Sequence, residues 1–241
     1  MADIAIIGGT GPEGRGLALR WAMAGHHLIL GSRDEARACD AANSLKLIKP
    51  EIHVSGQTNR VAIEKSDCIV FSIPYEGLDQ AVSDFEDCLS GKLVISVIAP
   101  MDFRSGYPKA LTVAEGSAAE LIQARVPDCI VTSGFQNLSA QDLLKPEIEI
   151  NGDIIICGDD SESKKFTMEL ADCITGLRGV DGGHLGNSKT VEGLTALLEL
   201  YKKQLWELRQ ISSENEKNIN LLQGYKKVIQ NLKINGLYKK N

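Results

Sequence analysis

The sequence predicts an α/β protein built on a doubly wound parallel sheet. Short apolar runs rich in Val and Ile alternate with stretches of helical spacing over residues 3–175. Continuous apolar strands are typical of parallel sheets that are covered on both faces, and right-handed crossovers then give the doubly wound arrangement. From residue 187 onward long helical patterns replace the alternation, which predicts a small C-terminal extension that is mostly helical.

The elements of the first half follow in order. The first predicted strand is DIAIIG, and the helix EGRGLALRWAMAG ends at Gly25, a residue that favours helix termination. In the next predicted helix, DEARACDAANSLKLI, the acids Asp34 and Glu35 lie near the positive end of the helix dipole. The remaining predictions of this half are the strands HHLILGS, IHVSG, DCIVFSIP and KLVISVIAP and the helices DEARACDAANSLKLI and 77–89.

The second half begins with an irregular stretch to about residue 115. It continues with the helix SAAELIQARV, the strand CIVTSGF, a short helix near 138–144, the strand DIIICG and the helix SKKFTMELADCITGL. A long helix is predicted from about 187 to 210. We therefore divide the chain into a main domain (1–150), a small α/β domain that completes a cleft (151–205) and a basic amphipathic helical tail (206–241).

Composition excludes several classes of function. The formal net charge of -6 argues against general binding of nucleic acid. No apolar run reaches the roughly 18 residues of a membrane span, and no basic leader precedes the first strand, so we expect a cytoplasmic protein without a membrane partner. The six cysteines form no CxxC pair and the four histidines form no cluster, so no metal site is expected.

Charge is distributed unevenly along the chain. Residues 201–241 hold nine Lys or Arg and three acids, which gives +6 for this segment and -12 for the remainder. Such a segment could pack on the protein's own acidic body, on a second subunit or on another acidic surface. A helix that serves packing or oligomerisation is the simplest interpretation.

The turn after the first strand has the spacing G-x-G-x-x-G, with glycines at Gly9, Gly11 and Gly14. The first glycine allows a tight turn, the second lets backbone approach a pyrophosphate, and the third lets the helix pack closely on the sheet. Phosphates then lie over free amides at a helix N-terminus. Because the motif follows an apolar strand and opens a helix, it predicts a Rossmann-type dinucleotide-binding domain.

The second strand ends in Ser32 and Arg33, where NAD-binding proteins commonly have Asp or Glu. A carboxylate there would repel a 2′-phosphate, whereas a hydroxyl and a guanidinium suit one. Arg37 lies one turn further on, and Thr10 adds a hydroxyl in the loop. This pattern favours NADPH over NADH. The alternatives are that Arg33 is a solvated charge, or that the acids that follow it pair with it or bind the ribose hydroxyls.

Later blocks resemble one family. GSAAE, CGDD, GLRGVDGG and LGNSKTVEGLT follow in order, together with IGGTGPEGRGLALRWAMAGH, GSRDEA and DCIVFSIPYEG. Over residues 3–200 the chain is similar to the NADPH-dependent reductases of the deazaflavin coenzyme F-420. The resemblance implies a Rossmann domain that holds NADP(H), direct hydride transfer to or from coenzyme F-420 as the second substrate, and a homodimer.

The resemblance also implies site residues. The implied cofactor-binding residues are Gly9, Thr10, Gly11, Pro12, Glu13, Gly14, Ser32, Arg33, Arg37, Ser72, Ile73, Pro74, Ile98, Ala99 and Pro100. The implied deazaflavin-binding residues are Phe135, Gln136, Asn137 and Leu138. No catalytic acid, base or nucleophile is expected, because hydride transfer between two bound rings needs mainly proximity and alignment.

Two positions depart from the family pattern and leave the acceptor open. Gln136 stands where related bacterial sequences have His, and His184 stands where Pro is usual. An NADPH-dependent reductase of a flavin, a ferric chelate or a small carbonyl or imine is therefore an alternative. For the imine version, Tyr75 and Tyr107 are the candidate proton donors. A dinucleotide-binding protein that acts without turnover is the alternative from another class.

Overall fold

The computed structural model describes the backbone of residues 1–211 and the side chains to residue 204, so most of the predicted tail lies outside the described residues. The strands are β1 (Asp3–Ile7), β2 (His27–Ser32), β3 (Val54–Thr58), β4 (Cys68–Phe71), β5 (Leu93–Ser96), β6 (Met101–Asp102), β7 (Lys109–Ala110), β8 (Ile130–Ser133), β9 (Gly152–Gly158) and β10 (Leu177–Asp181). The α-helices are α1 (Pro12–Met23), α2 (Glu35–Ile48), α3 (Asn59–Glu64), α4 (Leu78–Leu89), α5 (Ala118–Arg125), α6 (Ala140–Leu143), α7 (Ser161–Asp172) and α8 (Ser188–Ile211).

Eight strands form one sheet in the order β10-β9-β8-β5-β4-β1-β2-β3. All neighbours are parallel except β8 and β9, which pair antiparallel. In the parallel part, β1 lies between β2 and β4, with Ile7 opposite both Gly31 and Phe71. The chain leaves β1 toward one side and later crosses to the other, so the carboxyl ends of β1 and β4 flank the switch point where ligands bind in such sheets. The predicted doubly wound sheet is confirmed, and the antiparallel pair of β8 and β9 is a departure from the wholly parallel sheet that the sequence predicts.

Apolar side chains cover both faces of the sheet. One cluster joins the strands to α1, α2 and α7 and contains the buried Trp21, Leu45 and Leu170. The other joins them to α3, α4 and α5 and contains Ile63, Val82 and Ile122. The strands are apolar on both sides because each side packs against helices.

Helix α3 and strands β6, β7 and β10 were not predicted from the sequence. Helix α3 has six residues and owes its start to Thr58, whose hydroxyl accepts a bond from the Val61 amide. Strands β6 and β7, of two residues each, pair antiparallel within the stretch predicted to be irregular. Edge strand β10 has the sequence LRGVD, in which Arg178 and Asp181 interrupt the apolar pattern that would predict a strand. Its Gly179 is required because a Cβ there would come within 2.6 Å of the Met168 Cα in α7.

The chain reverses direction at β9. Ser133 of β8 lies opposite Cys157 of β9, so the first half of β9 extends beyond the carboxyl end of β8. Strand β10 pairs parallel with β9 and extends the same sheet. The helix predicted from about 187 to 210 is observed as α8. The division of the chain near residue 150 stays a prediction, and the strand reversal follows that position.

Candidate functional site

A groove opens at the carboxyl ends of β1, β2 and β4, with a volume of about 490 Å³. Its walls are the glycine turn after β1, the start of α2, the residue after β3, the turn after β4 and one face of α4. It is lined by Ile7, Gly8, Thr10, Gly11, Ser32, Arg33, Arg37, Asn59, Ser72, Ile73, Pro74, Gly77, Gln80, Ala81, Asp84 and Phe85. Eight of the predicted cofactor-binding residues are in this set, and they come from three separate segments of the chain, which follow β1, β2 and β4.

The three motif glycines have different surroundings. A Cβ on Gly9 would lie 2.8 Å from the Ile6 oxygen, and one on Gly14 would lie 3.0 Å from the Gly8 oxygen. A Cβ on Gly11 would approach only the Gly8 oxygen, at 3.3 Å, and Gly11 lines the groove. The first and third glycines therefore permit close packing of the chain on itself, and the second leaves backbone open to a ligand.

Helix α1 begins without a capping side chain. Its N-cap is Gly11 and its first residue is Pro12, whereas α2, α3, α5, α6 and α7 are capped by Asp34, Thr58, Ser117, Ser139 and Asp160. The orphan amides of the first turn of α1, at Glu13 and Gly14, therefore have no side-chain acceptor at the N-cap. A phosphate at this end would supply acceptors and would be favoured by the helix dipole.

The end of β2 presents donors to the groove. The Ser32 hydroxyl oxygen accepts a bond from the Asp34 amide at 3.2 Å, which leaves its proton free to donate outward. Among the described residues, Arg33 and Arg37 form no ion pair. Asp34 turns away from the groove, since its Oδ1 accepts bonds from the Ala36 and Arg37 amides of α2. The local charge of the groove here is positive.

Glu13 and Gly14 do not line the groove, nor do Gly9 and Pro12. The Glu13 Oε1 is buried without a hydrogen-bond partner in the described part of the chain. Burial raises the pKa of this carboxyl to about 8, with Lys202 opposing the rise and Glu199 adding to it. The side chain is therefore mostly neutral at pH 7. A neutral carboxyl at this helix end removes the repulsion that a carboxylate would exert on a nearby phosphate.

The two predicted nicotinamide-side segments differ in exposure. Ser72, Ile73 and Pro74 follow β4 directly and line the groove. The segment 98–100 follows β5; Ile98 and Pro100 are buried, Ala99 is half-buried, and the Pro100 oxygen accepts a bond from the Leu111 amide at 3.0 Å. The segment thus lies one strand further along the same edge and does not line the groove.

The conformation of segment 135–138, which follows β8, is fixed by Phe135 and Gln136. Phe135 has a φ of 73°, a left-handed conformation that is strained for a residue other than glycine. Its buried ring packs edge-on against Trp21, with centroids 5.3 Å apart. Gln136 is also buried, and its Nε2 donates to the Ser96 oxygen at 3.3 Å. These two side chains point into the interior, and neither lines a described cavity.

Asn137 and Leu138 line a second cavity of about 690 Å³. Its other walls come from the start of β9, from β10 and from Leu194 and Leu198 of α8. The wall is mainly apolar, which suits the burial of a ring system. The structure thus separates the predicted deazaflavin-binding residues into a pair that fixes the turn, Phe135 and Gln136, and a pair that borders this cavity, the half-buried Asn137 and the largely buried Leu138.

Arg20 anchors the wall of the second cavity. Its guanidinium is buried and donates to the oxygens of Leu143, Asp142, Lys145 and Ile148 at 2.6–2.9 Å. It thereby binds the end of α6 and the turn that follows to α1. Burial lowers the pKa of this guanidinium. This role of Arg20 was not predicted, because the sequence of an apolar helix does not indicate which distant carbonyl groups its arginine will contact.

Glu192 fixes α8 to the rest of the molecule. Its carboxylate accepts bonds from the Ala118 amide at 2.9 Å and the Ala119 amide at 3.2 Å, at the N-terminus of α5. Burial raises the pKa of Glu192 to about 7. At the start of α8 the Ser188 hydroxyl bonds to the Ser133 hydroxyl at 2.6 Å. Helix α8 is therefore held at the carboxyl end of β8.

Two further features bear on the class of site. Within residues 1–204, no group of three or more His, Cys, Asp or Glu side chains is placed to hold a metal ion. None of the helices in the described part of the chain is both long and apolar enough to cross a membrane.

A glycine turn at the switch point of a doubly wound sheet, with donors at the end of the neighbouring strand, defines the Rossmann class of dinucleotide-binding folds. Residues 3–100 match the family model described as NADP oxidoreductase, coenzyme F420-dependent. The F420-dependent NADP reductase of Methanocaldococcus jannaschii is 36% identical over 201 residues, covering 81% of this chain and 90% of that protein. The chain therefore belongs to the family of coenzyme F420-dependent NADP oxidoreductases.

Other similar proteins agree with this assignment. The F420-dependent NADP reductase of Methanothermobacter marburgensis is 33% identical, with the same coverage of 81% and 90%. Among solved structures, a protein from Arthrobacter sp. FB24 titled a putative F420-dependent NADP-reductase has a TM-score of 0.71 at 22% identity, covering 86% of this chain and 95% of that chain. At that identity the structural likeness shows the fold alone.

Proposed function

We propose that this protein transfers a hydride between NADPH and the deazaflavin coenzyme F-420. The main support is the 36% identity to a reductase of that name across 90% of its length. The groove adds independent support, because it combines an open glycine turn, an uncapped helix end and a cluster of unpaired donors. These features suit the binding of the phosphate groups of NADP(H).

NADP(H) would lie along the groove. The pyrophosphate fits over the turn of Gly9–Gly14, and the 2′-phosphate fits beside Ser32, Arg33 and Arg37. The segments 72–74 and 98–100 would hold the ribose and ring of the nicotinamide half. A carboxylate at the position of Ser32 or Arg33 would repel the 2′-phosphate, so the residues present favour NADP(H) over NAD(H).

The deazaflavin would lie beside Asn137 and Leu138. Phe135 and Gln136 would act indirectly, because their buried side chains fix the conformation of the turn that presents the next two residues. Gln136 can hydrogen-bond but cannot carry a proton at neutral pH. A role for this residue in positioning is therefore the one its chemistry permits.

With both coenzymes bound, a hydride from the nicotinamide of NADPH and one proton from solvent would give the reduced deazaflavin and NADP+. The two coenzymes supply the reactive atoms. The chain binds and aligns both rings and limits access of water. We propose no catalytic acid, base or nucleophile, because direct transfer between aligned rings requires none.

We further propose a cytoplasmic homodimer. All six cysteines are free thiols, as expected in a reducing compartment. The resemblance to the family implies the dimer, and light scattering after size exclusion tests it. The proposed domains remain 1–150, 151–205 and 206–241, with a small-molecule substrate and without nucleic acid or membrane as partner.

Purified protein mixed with NADPH and oxidised coenzyme F-420 tests the function. The deazaflavin absorbance should fall as NADPH is consumed, and NADH should support a much slower change. Free flavin, ferric chelate and a cyclic imine serve as comparison acceptors. A faster reaction with any of these would overturn the choice of acceptor, and absence of turnover with every acceptor despite tight NADPH binding would favour a binding protein.

A further inference from the structure

Asn59 occupies a position in the groove that neither the glycine motif nor the family resemblance indicates. Strand β3 pairs with β2 so that Thr58 lies opposite Ser32. The residues that follow these two strand ends are Arg33 and Asn59, the first residue of α3, and both line the groove. Asn59 thus faces the same end of the groove as the donors after β2.

One end of the Asn59 carboxamide is enclosed by the protein. Its Oδ1 is buried and has no hydrogen-bond partner in the described chain. This oxygen lies against Gly31, where an added Cβ would come within 2.8 Å of it. A larger residue at position 31 would displace the carboxamide. Since one end of the group is enclosed and the residue lines the groove, its Nδ2 is the end that remains for a ligand.

Four donor groups therefore surround this end of the groove without an acceptor among the described residues. They are the Ser32 hydroxyl, the Arg33 and Arg37 guanidiniums and the Asn59 Nδ2. A ligand that satisfies all four must carry several acceptor oxygens and negative charge. A phosphate monoester has three terminal oxygens and meets this requirement, whereas a ribose hydroxyl does not.

We propose that Asn59 is a specificity-determining residue that donates from Nδ2 to the 2′-phosphate of NADP(H). This inference rests on the proposed function, because it assigns a contact within the proposed cofactor site. It differs from a packing role, in which the carboxamide serves only to fill the space beside Gly31. A packing role would affect NADPH and NADH alike.

Dissociation constants for NADPH and NADH, measured by titration calorimetry, test this assignment. Asn59→Asp is nearly isosteric and replaces the donor with a carboxylate. It should weaken NADPH binding by about 10- to 100-fold, since a charged hydrogen bond is lost and a repulsion is added. NADH binding should change by less than about threefold. Asn59→Leu removes the donor without adding charge and should weaken NADPH alone by about tenfold.

Asn43→Leu is the matched control, because Asn43 is an exposed asparagine of α2 that does not line the groove. The ratio of NADPH to NADH affinity should not change in this variant. Equal weakening of both coenzymes by Asn59→Leu, or no weakening of either, would overturn the proposal. Failure of the wild-type chain to bind NADPH would instead contradict the proposed function.

A measurement on the unchanged chain remains informative if the variants fold poorly. The side-chain amide resonance of Asn59, assigned in the unchanged chain by triple-resonance correlation to its own backbone, should shift when adenosine 2′-monophosphate is added. Adenosine 5′-monophosphate should leave it in place. A shift with both nucleotides would show that Asn59 contacts the adenosine and not the 2′-phosphate.

Discussion

At the scale of single residues, the proposed preference for NADP(H) rests on a few side chains at the end of β2. The carboxylate of Asp34 accepts bonds from two amides of α2, and in the described part of the chain it forms no ion pair with Arg33 or Arg37. The two guanidiniums therefore remain available to pair with an anion in the groove. This arrangement explains how an acidic chain can bind a highly anionic ligand.

Arg33→Asp should reverse the preference. A carboxylate would replace the guanidinium beside the proposed 2′-phosphate, which removes an attraction and adds a repulsion. We expect the KM for NADPH to rise about 10- to 100-fold, which corresponds to the loss of roughly 1.4–2.8 kcal/mol, with a much smaller change for NADH. Steady-state kinetics with both coenzymes measure the ratio.

Arg125→Asp makes the same change of charge on an exposed arginine of α5 that pairs with Asp79. It controls for a general effect of net charge and should leave the ratio of the two KM values unchanged. A similar rise of both KM values in Arg33→Asp would show that Arg33 does not face the 2′-phosphate.

At the scale of secondary-structure elements, two long-range contacts hold the walls of the site. Arg20 joins α1 to the end of α6, and Glu192 joins α8 to the start of α5. In each case a charged side chain satisfies backbone groups that the helix cannot satisfy itself. These helices are therefore positioned by polar contacts in addition to apolar packing.

Glu192→Ala tests the contact at α5. The substitution leaves the Ala118 and Ala119 amides buried without an acceptor, which should lower the free energy of unfolding by about 2 kcal/mol. Urea denaturation measures the loss. Glu192→Gln keeps an acceptor oxygen and should recover part of the stability. Equal stability of the alanine variant and the wild type would contradict the proposed weight of this contact.

Substitution of two glycines by alanine should change the stability of the protein in opposite directions. A Cβ on Gly56 of β3 would lie 2.2 Å from the Ala38 carbonyl carbon of α2, so Gly56→Ala should abolish close packing of this pair and yield insoluble or partly unfolded protein. A Cβ on Gly193 of α8 would meet nothing within 4 Å. Gly193→Ala should raise the free energy of unfolding by about 0.5–1 kcal/mol, because alanine favours helix. Thermal unfolding of both variants compares the two.

At the scale of the whole molecule, stability should fall as pH rises above neutrality. The pKa values of Glu13 and Glu192 are raised to about 8 and about 7 in the fold, and return to ordinary values near 4.5 when the chain unfolds. The folded state therefore binds more protons than the unfolded state in this range. The stabilisation is complete below pH 4.5 and is lost as pH rises through 7 and 8.

Urea midpoints at pH 7.0 and 8.5 measure this dependence. The interval avoids the titration of His26, whose pKa is lowered by burial and whose contribution has the opposite sign at lower pH. Glu13→Gln removes one of the two groups and should make the midpoint less dependent on pH. A midpoint that rises between pH 7.0 and 8.5 in the wild type would contradict the prediction.

Most of the sheet could be predicted because periodicity and glycine spacing are local signals. The doubly wound order follows from alternation of strands and helices, and the eight predicted residues of the groove follow from strand ends. The roles of Arg20 and Glu192 could not be predicted, since each joins segments more than 70 residues apart. The reversal at β9 was also missed, because an apolar strand does not encode its direction.

The contact of Glu192 with α5 has a consequence for synthesis on the ribosome. Seventy-four residues separate the carboxylate from the Ala118 amide, so every strand of the sheet is made before this acceptor exists. Nascent chains fold from the N-terminus. The amides of the first turn of α5 therefore have no carboxylate acceptor, and remain hydrated, until α8 has been synthesised. A chain that stops before residue 188 would contain all ten strands yet lack this anchor, and should be a preferred substrate for proteases that survey unfinished proteins.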